Sequence, residues 1–256
     1  MFIDDLRKSI LQKAIQWKLV EQDPNDEPAS ELLKRIKEKK ERLIKEWKIK
    51  KEKPSSPITD EEKPFDIPSN WERIRLQDVC HTLTCWYAST PEYVSEDCGK
   101  PFISAKNVKP YRFMPYEYKF IKPELFDKLR ETCCPCKWDI LLTRVWAWIW
   151  EAAIIDTDLE FAIYVSLTLV KLVDYKLLDN EYILHWLNSP MGRSASNVNT
   201  LGKEASQWNL NVKNVRNYLI PIPPLEEQKR ISNKLNELMK LCDEAMDISI
   251  KLKELI

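Results

Sequence analysis

With 256 residues, 44% of them hydrophobic and 31% charged, the chain can fill one sizeable core and still extend helices beyond it. No run approaches the roughly 18 apolar residues of a transmembrane helix, and Met1 to Arg7 lacks the charged-then-apolar layout of a signal peptide, so a cytoplasmic location is expected. Net charge is zero, and between 71 and 222 there are 18 basic and 18 acidic side chains. Bulk charge therefore gives no argument for nucleic acid, and any DNA-facing surface must arise from how charges sort in space.

Residues 4–16 place Leu6, Ile10, Ala14 and Ile15 at helical spacing. The segment EQDPNDEP breaks that helix, and Pro28 sits where a second can start. From Ala29 to Glu46 the stripe is Leu33, Ile36 and Leu43. The stretch 31–53 carries 11 basic and 5 acidic residues, a solvated face or a surface for phosphates or a subunit. Four prolines in KPSSPITDEEKPFDIP mark a linker, so the chain divides into an N-terminal helical segment (1–52), a Pro-rich linker (53–70) and a domain (71–222). In the domain, DILLTRV, FAIYVSLTLVKLV and NYLIPI read as strands and EYILHWLNSPMG as a helix ended by Ser-Pro, which predicts an α/β (α+β) fold. After Pro223 and Pro224 a long helix (223–256) carries Ile231, Leu235, Leu238, Cys242, Ala245, Leu252 and Ile256 at heptad positions, with Ser249 at the missed one. That seam fits a coiled coil; one amphipathic helix packed on its own domain is the other reading.

The segments 6–46, PFDIPSNWERIRLQDV (64–79), KWDILLTRVWAWIWEAAI (137–154) and NYLIPIPPLEEQKRI (217–231) together resemble the specificity subunit of Type I restriction–modification systems. The resemblance implies a target-recognition domain that enters the major groove of double-stranded DNA and reads half of a split site. It implies spacer helices that set the distance to a second recognition unit and dock methyltransferase subunits, through which restriction subunits join. Complete members usually carry two recognition domains, so one such domain here implies a half-subunit or a fragment, with pairing to a second copy or a missing half. A truncated or decayed subunit acting only as a coiled-coil interaction module is the alternative.

Base readers are sought in polar clusters, because the major groove is read by side chains such as Arg, Lys, Asn and Gln. SAKNVK offers Lys106 and Asn107, LTR offers Thr143 and Arg144, and LGKEASQWNLNVKN offers Lys203, Gln207 and Asn209. At each of them ordinary solvation is the competing role. Seven cysteines, an odd number without regular spacing, read as reduced thiols. Cys133 and Cys136 make one Cys-x-x-Cys pair, but Cys80 and Cys85 are too loosely spaced to complete a zinc site, so no metal is expected. No Gly-rich phosphate loop or S-adenosylmethionine-type glycine motif appears, and His81 and His185 lack an obvious nucleophile. No catalytic residue and no cofactor are expected.

Glycine is scarce, with three where average usage of about 7% gives roughly 18, while tryptophan appears ten times. Trp17 and Trp47 follow helical runs where a left-handed cap glycine belongs, and Trp138 precedes a strand where a turn glycine belongs. Trp146, Trp148 and Trp150 alternate through a segment whose resemblance places glycine at each. Trp86 and Trp208 lie in polar contexts. Only Trp71 and Trp186 look native. One cause fits all eight: codon UGA, written as tryptophan, in a genome that uses it for glycine. A genuinely Trp-rich domain is the competing reading.

Overall fold

The structure, a computed structural model, describes residues 2–85, 89–144, 151–198 and 211–254. Helices α1 (Phe2–Ile15) and α2 (Ala29–Lys45) form where expected, the second opening behind Pro28. Their buried faces are turned from the expected stripes: Leu11 and Leu32 are buried, Leu33 and Leu43 half-buried and Leu6 exposed. The Pro-rich segment does not hang free. A proline-rich backbone leaves its carbonyls unpaired, and here Arg75 collects them, donating to the Ser56 and Pro57 carbonyls and to the Glu62 carboxylate at 2.9 and 3.0 Å. The strap thus lies along the domain, interrupted by a single 3-10 turn at Asp60–Glu62 that brings the Glu62 carboxylate to Arg75.

Strand β1 (Glu72–Arg75), helix α3 (Leu76–Val79) and strand β2 (Cys80–Thr84) lead into the domain. Short strands β3 (Tyr93–Val94), β4 (Lys100–Ile103), β5 (Val108–Lys109), β6 (Arg112–Phe113) and β7 (Lys119–Ile121) follow, then α4 (Pro123–Arg130). The strand signals become β8 (Ile140–Thr143), β9 (Ala152–Ile154), β10 (Ala162–Ile163) and β11 (Leu167–Leu172). The single run 161–173 holds two of these strands, which belong to different sheets. EYILHWLNSPMG divides at Ser189 into α5 (Asn180–Asn188) and α6 (Pro190–Val198), and α7 (Val212–Arg216), β12 (Leu219–Ile222) and α8 (Leu225–Glu254) complete the chain.

Among the described residues, one four-stranded sheet has the order β2-β11-β8-β9 and is antiparallel throughout. A second has the order β10-β4-β7-β3, with β10 parallel to β4, and β1 pairs with β12. The first sheet is covered on both faces, because successive side chains of a strand point to opposite sides. Ile140, Leu142, Val170 and Leu172 join a core shared with α1, α2, α5 and α8, while Leu141, Leu167 and Leu169 join a core with Ile103, Val108 and Phe161. This double burial explains why these strands read as unbroken apolar runs.

Leu11, Ala14, Ile15, Leu32 and Ile36 from the N-terminal helices sit in the same buried cluster as Trp71, Tyr182, Ile231 and Leu235. Arg7 pairs with Asp243 near one end of the α1–α8 contact, and Asp26, beyond the end of α1, pairs with Arg230 near the other. The two helices therefore run antiparallel. No described helix is long and apolar enough to cross a membrane.

Within the core, burial pushes the His185 imidazole down to about 4, with Nδ1 3.4 Å from the Tyr111 hydroxyl. Between about pH 6.5 and 4 the unfolded chain binds a proton here that the folded chain refuses, so stability falls as pH falls across that window, by about 3 kcal/mol at most. Thermal melts from pH 7 to 4.5 should show a shallower decline for His185→Gln than for the parent. Equal slopes would mean that His185 is protonated in the fold.

Candidate nucleic-acid interface

Antiparallel order and register bring the ends of four strands to one edge of the β2-β11-β8-β9 sheet. Thr84 pairs with Leu169, Leu167 with Thr143, and Leu142 with Ala152, so Cys85, Ser166, Arg144 and Glu151 gather at the same end. Backbone bonds lock them together: Arg144 N–H donates to the Ser166 carbonyl (3.0 Å) and Thr143 N–H to the Glu151 carbonyl (2.9 Å). The Ser166 hydroxyl accepts from Ala105 N–H (3.0 Å), which ties the Ala105–Asn107 turn to this edge and presents Lys106, exposed, beside it.

The sequence-derived candidates divide sharply. Asn107 is buried; its amide donates to the Met114 and Tyr116 carbonyls (3.1 and 2.8 Å), and its oxygen accepts from Ser104 N–H. Thr143 is fully buried, and its hydroxyl accepts from Glu151 N–H (3.0 Å). Both side chains spend their polar atoms holding the edge in shape, which a short polar residue at a turn or strand end does well. Arg144 is 7% exposed with its guanidinium against the Cys85 thiol. Lys203, Gln207 and Asn209 lie outside the described residues.

Sequence reading passed over three groups at the same place. Lys109 Nζ lies 3.7 Å from Glu151 Oε2, and burial pushes the Glu151 carboxyl up while Lys109 and Arg193 pull it back. Lys109 belongs to the SAKNVK cluster. Glu151 and Arg193 are distant in sequence and meet only through the sheet and α6, so no local signal marks them. Asn188 completes the edge: its side chain accepts from Ala152 N–H (3.1 Å) and donates to the Ala152 carbonyl (3.0 Å), standing in for a neighbouring strand.

The seam residues of α8 also divide. Ile231, Leu235 and Cys242 are buried and Leu238 is half-buried, against α1 and the domain core, so this part of the stripe is partnered within the chain. A helix folding back from the N-terminus supplies the surface that the heptads alone left unspecified. Ala245 is exposed, as are Leu241 at 52% and Ile248 at 60%, with Leu6 of α1 at 41%. The side chains of Leu252 and Ile256 lie outside the described residues.

The base of α8 is fastened by buried polar contacts. Glu227 accepts from the Trp71 indole (3.0 Å), with burial raising its carboxyl above the ordinary range. Gln228 accepts from Asp179 N–H (3.0 Å) and donates to the Pro223 carbonyl (2.8 Å). Asp179 caps α5 through Glu181 N–H and accepts from the Ser232 hydroxyl (2.6 Å). The PPLEEQ run is thus the joint between domain and helix.

The chain is an α/β domain that ends in a long helical arm rooted in the domain's own core. The chain belongs to the Type I restriction modification DNA specificity domain family, whose model matches residues 68–253. It is 33% identical to the Escherichia coli Type I restriction enzyme EcoAI specificity subunit and 31% identical to the EcoEI subunit. Each match covers 94% of this chain and 40% and 41% of those proteins. The chain therefore spans about two-fifths of the curated relatives it matches. Solved structures share the fold. One, from work on complex assembly and conformational transition of the type I R-M system, matches at TM-score 0.57 and 18% identity over 99% of this chain and 55% of that one. The HsdS subunit from Thermoanaerobacter tengcongensis matches at TM-score 0.51 and 17% identity over 95% and 51%.

Asn188→Ala should leave the buried Ala152 amide without its partner, at roughly 1–3 kcal/mol, while the Ala152 carbonyl keeps the Tyr111 N–H at 2.9 Å. Thermal unfolding and amide exchange of β9 would register the weakening. An unchanged melting temperature with full protection at Ala152 would show that this side chain does not hold the edge.

Proposed function

We propose that this chain reads one half of a bipartite DNA site for a Type I restriction–modification complex and itself performs no chemistry. The observation that carries the reading is the joint at Glu227, Gln228 and Asp179, which makes the position of the helical arm report directly on the position of the reading edge. A split site needs two readers at a fixed helical phase. An α-helix of 30 residues is a ruler of about 45 Å. The α1–α8 arm holds a second recognition unit, either another copy or the other half of a longer subunit, through the exposed Leu6, Leu241, Ala245 and Ile248. The same helices dock the methyltransferase subunits, and restriction subunits join through these.

At the reading edge Lys106, Lys109 and Arg193 supply phosphate contacts, which fix register without reading sequence. Base contacts come from Arg144 and from the Lys203, Gln207 and Asn209 segment. Protection assays with the cognate methyltransferase subunit present test this assignment. Lys106→Ala should weaken binding evenly across sequences and lower the salt slope by about 1. Alanine at Lys203, Gln207 and Asn209 together should relax specificity, since each bidentate pairing with a base edge is worth about 1–3 kcal/mol of discrimination. Retained affinity for the methyltransferase subunit with no sequence-selective DNA binding by the parent chain would instead make it a protein-interaction module.

A further inference from the structure

The five described tryptophans fall into two groups. Trp71 and Trp186 are buried, at 3% and 1% exposure; the first donates its indole N–H to Glu227, and the second packs against Tyr218 with ring centroids 5.7 Å apart. Trp17, Trp47 and Trp138 are 41%, 94% and 53% exposed, and their φ angles are +54°, +58° and +75°. That is the left-handed region, which a bulky L-residue avoids because its Cβ crowds the backbone.

At each of the three the backbone adopts a motif built around glycine. After α1, Trp17 N–H donates to the Ala14 carbonyl and Lys18 N–H to the Lys13 carbonyl, at 3.3 and 2.9 Å. After α2, Trp47 N–H donates to the Ile44 carbonyl and Lys48 N–H to the Leu43 carbonyl, at 3.1 and 3.0 Å. Both pairs are complete Schellman caps with tryptophan at the left-handed position, where glycine is the usual occupant. In the turn Cys136–Asp139, closed by Asp139 N–H to the Cys136 carbonyl at 3.1 Å, Trp138 is the third residue. Lys137 does not share its positive φ, which makes the turn type II and calls for glycine at that third place.

The two described glycines do other work. Gly99 and Gly192 have no positive φ. They sit where a Cβ would meet Phe120 Cβ at 2.5 Å and the Trp186 carbonyl oxygen at 2.3 Å. Two further non-glycine residues, Tyr111 and Glu117, share the left-handed region. Tyr111 has a packing reason to be there, its ring lying 5.3 Å from that of His185. The indole of Trp17 reaches the Asp66 carbonyl at 3.2 Å, and that of Trp138 lies under the Lys137 ammonium at 5.8 Å. Both are contacts of exposed rings, and neither explains the backbone.

We infer that the native chain carries glycine at positions 17, 47 and 138, where tryptophan is written, because the backbone at all three is that of glycine. A single cause accounts for the set: one codon, UGA, read as glycine in the source cell. The same cause covers Trp86, Trp146, Trp148, Trp150 and Trp208, which lie outside the described residues and rest on composition and spacing alone. Eight exchanges bring glycine to 11 of 256, or about 4%, nearer the usual share.

Two measurements decide it. Mass spectrometry of the protein from its own cells should find glycine residue masses in peptides spanning 17, 47 and 138, and tryptophan masses at 71 and 186. Tryptophan at the first three overturns the inference. In a recombinant chain, Trp47→Gly should unfold at a higher temperature than Trp47→Ala. Alanine also removes the exposed indole, so this comparison isolates the backbone preference. Alanine equal to or above glycine in melting temperature overturns the reading of the cap.

Discussion

Buried polar contacts hold the base of the helical arm against swivelling. Asp179 is the pivot of that restraint, since one carboxylate caps α5 and accepts from Ser232 on α8 while its own N–H donates to Gln228. Each such bond contributes about 1 kcal/mol net. Their greater effect is directional: a buried Gln or Glu that loses its partner is costly, so alternative orientations of α8 are disfavoured. Trp71 makes the same restraint from the other side, donating to Glu227 from the start of β1, and β1 pairs with the β12 strand that runs into α8. Domain and arm thus meet at one buried polar knot set into an apolar core.

That core explains why the N-terminal helices belong to the body. Leu11, Ala14 and Ile15 of α1 and Leu32 and Ile36 of α2 bury themselves in the cluster that holds Ile231 and Leu235. Removing the first 52 residues would expose apolar faces of the domain and of α8 together. The edge that gathers Cys85, Arg144, Glu151 and Ser166 lies at the end of a sheet covered on both faces, so it inherits the rigidity of two cores. Polar side chains that look like readers, Asn107 and Thr143, turn out to hold that edge together, while the longer Lys106, Lys109 and Arg193 flank it.

Much of this was legible in the chain. Periodicity placed α1, α2 and α8 within a few residues, and the apolar runs marked β8, β11 and β12. The heptads of α8 mark a stripe of which Ile231, Leu235 and Cys242 are buried and Ala245 is exposed, but periodicity is silent on which surface covers it; α1, more than 200 residues away in sequence, covers the first part. The split of 161–173 between two sheets was hidden for a similar reason: a strand buried on both faces and a strand pair joined by a tight turn look alike as unbroken apolar sequence. Short polar residues were the poorest guide, because Asn and Thr serve turns and strand ends as readily as they serve ligands. Trp17, Trp47 and Trp138 are the reverse case, where composition and cap position in the sequence agree with the backbone angles.

The most direct test of the account is the distance between domain and arm. Spin labels attached by non-cysteine chemistry at Lys128 on α4 and Asp247 on α8, both exposed, should give one narrow distance distribution. With Gln228→Ala and Ser232→Ala combined, that distribution should broaden while the sheet stays folded. A distribution already broad in the parent chain, or one unchanged by the double substitution, would contradict the claim that this buried joint fixes the arm.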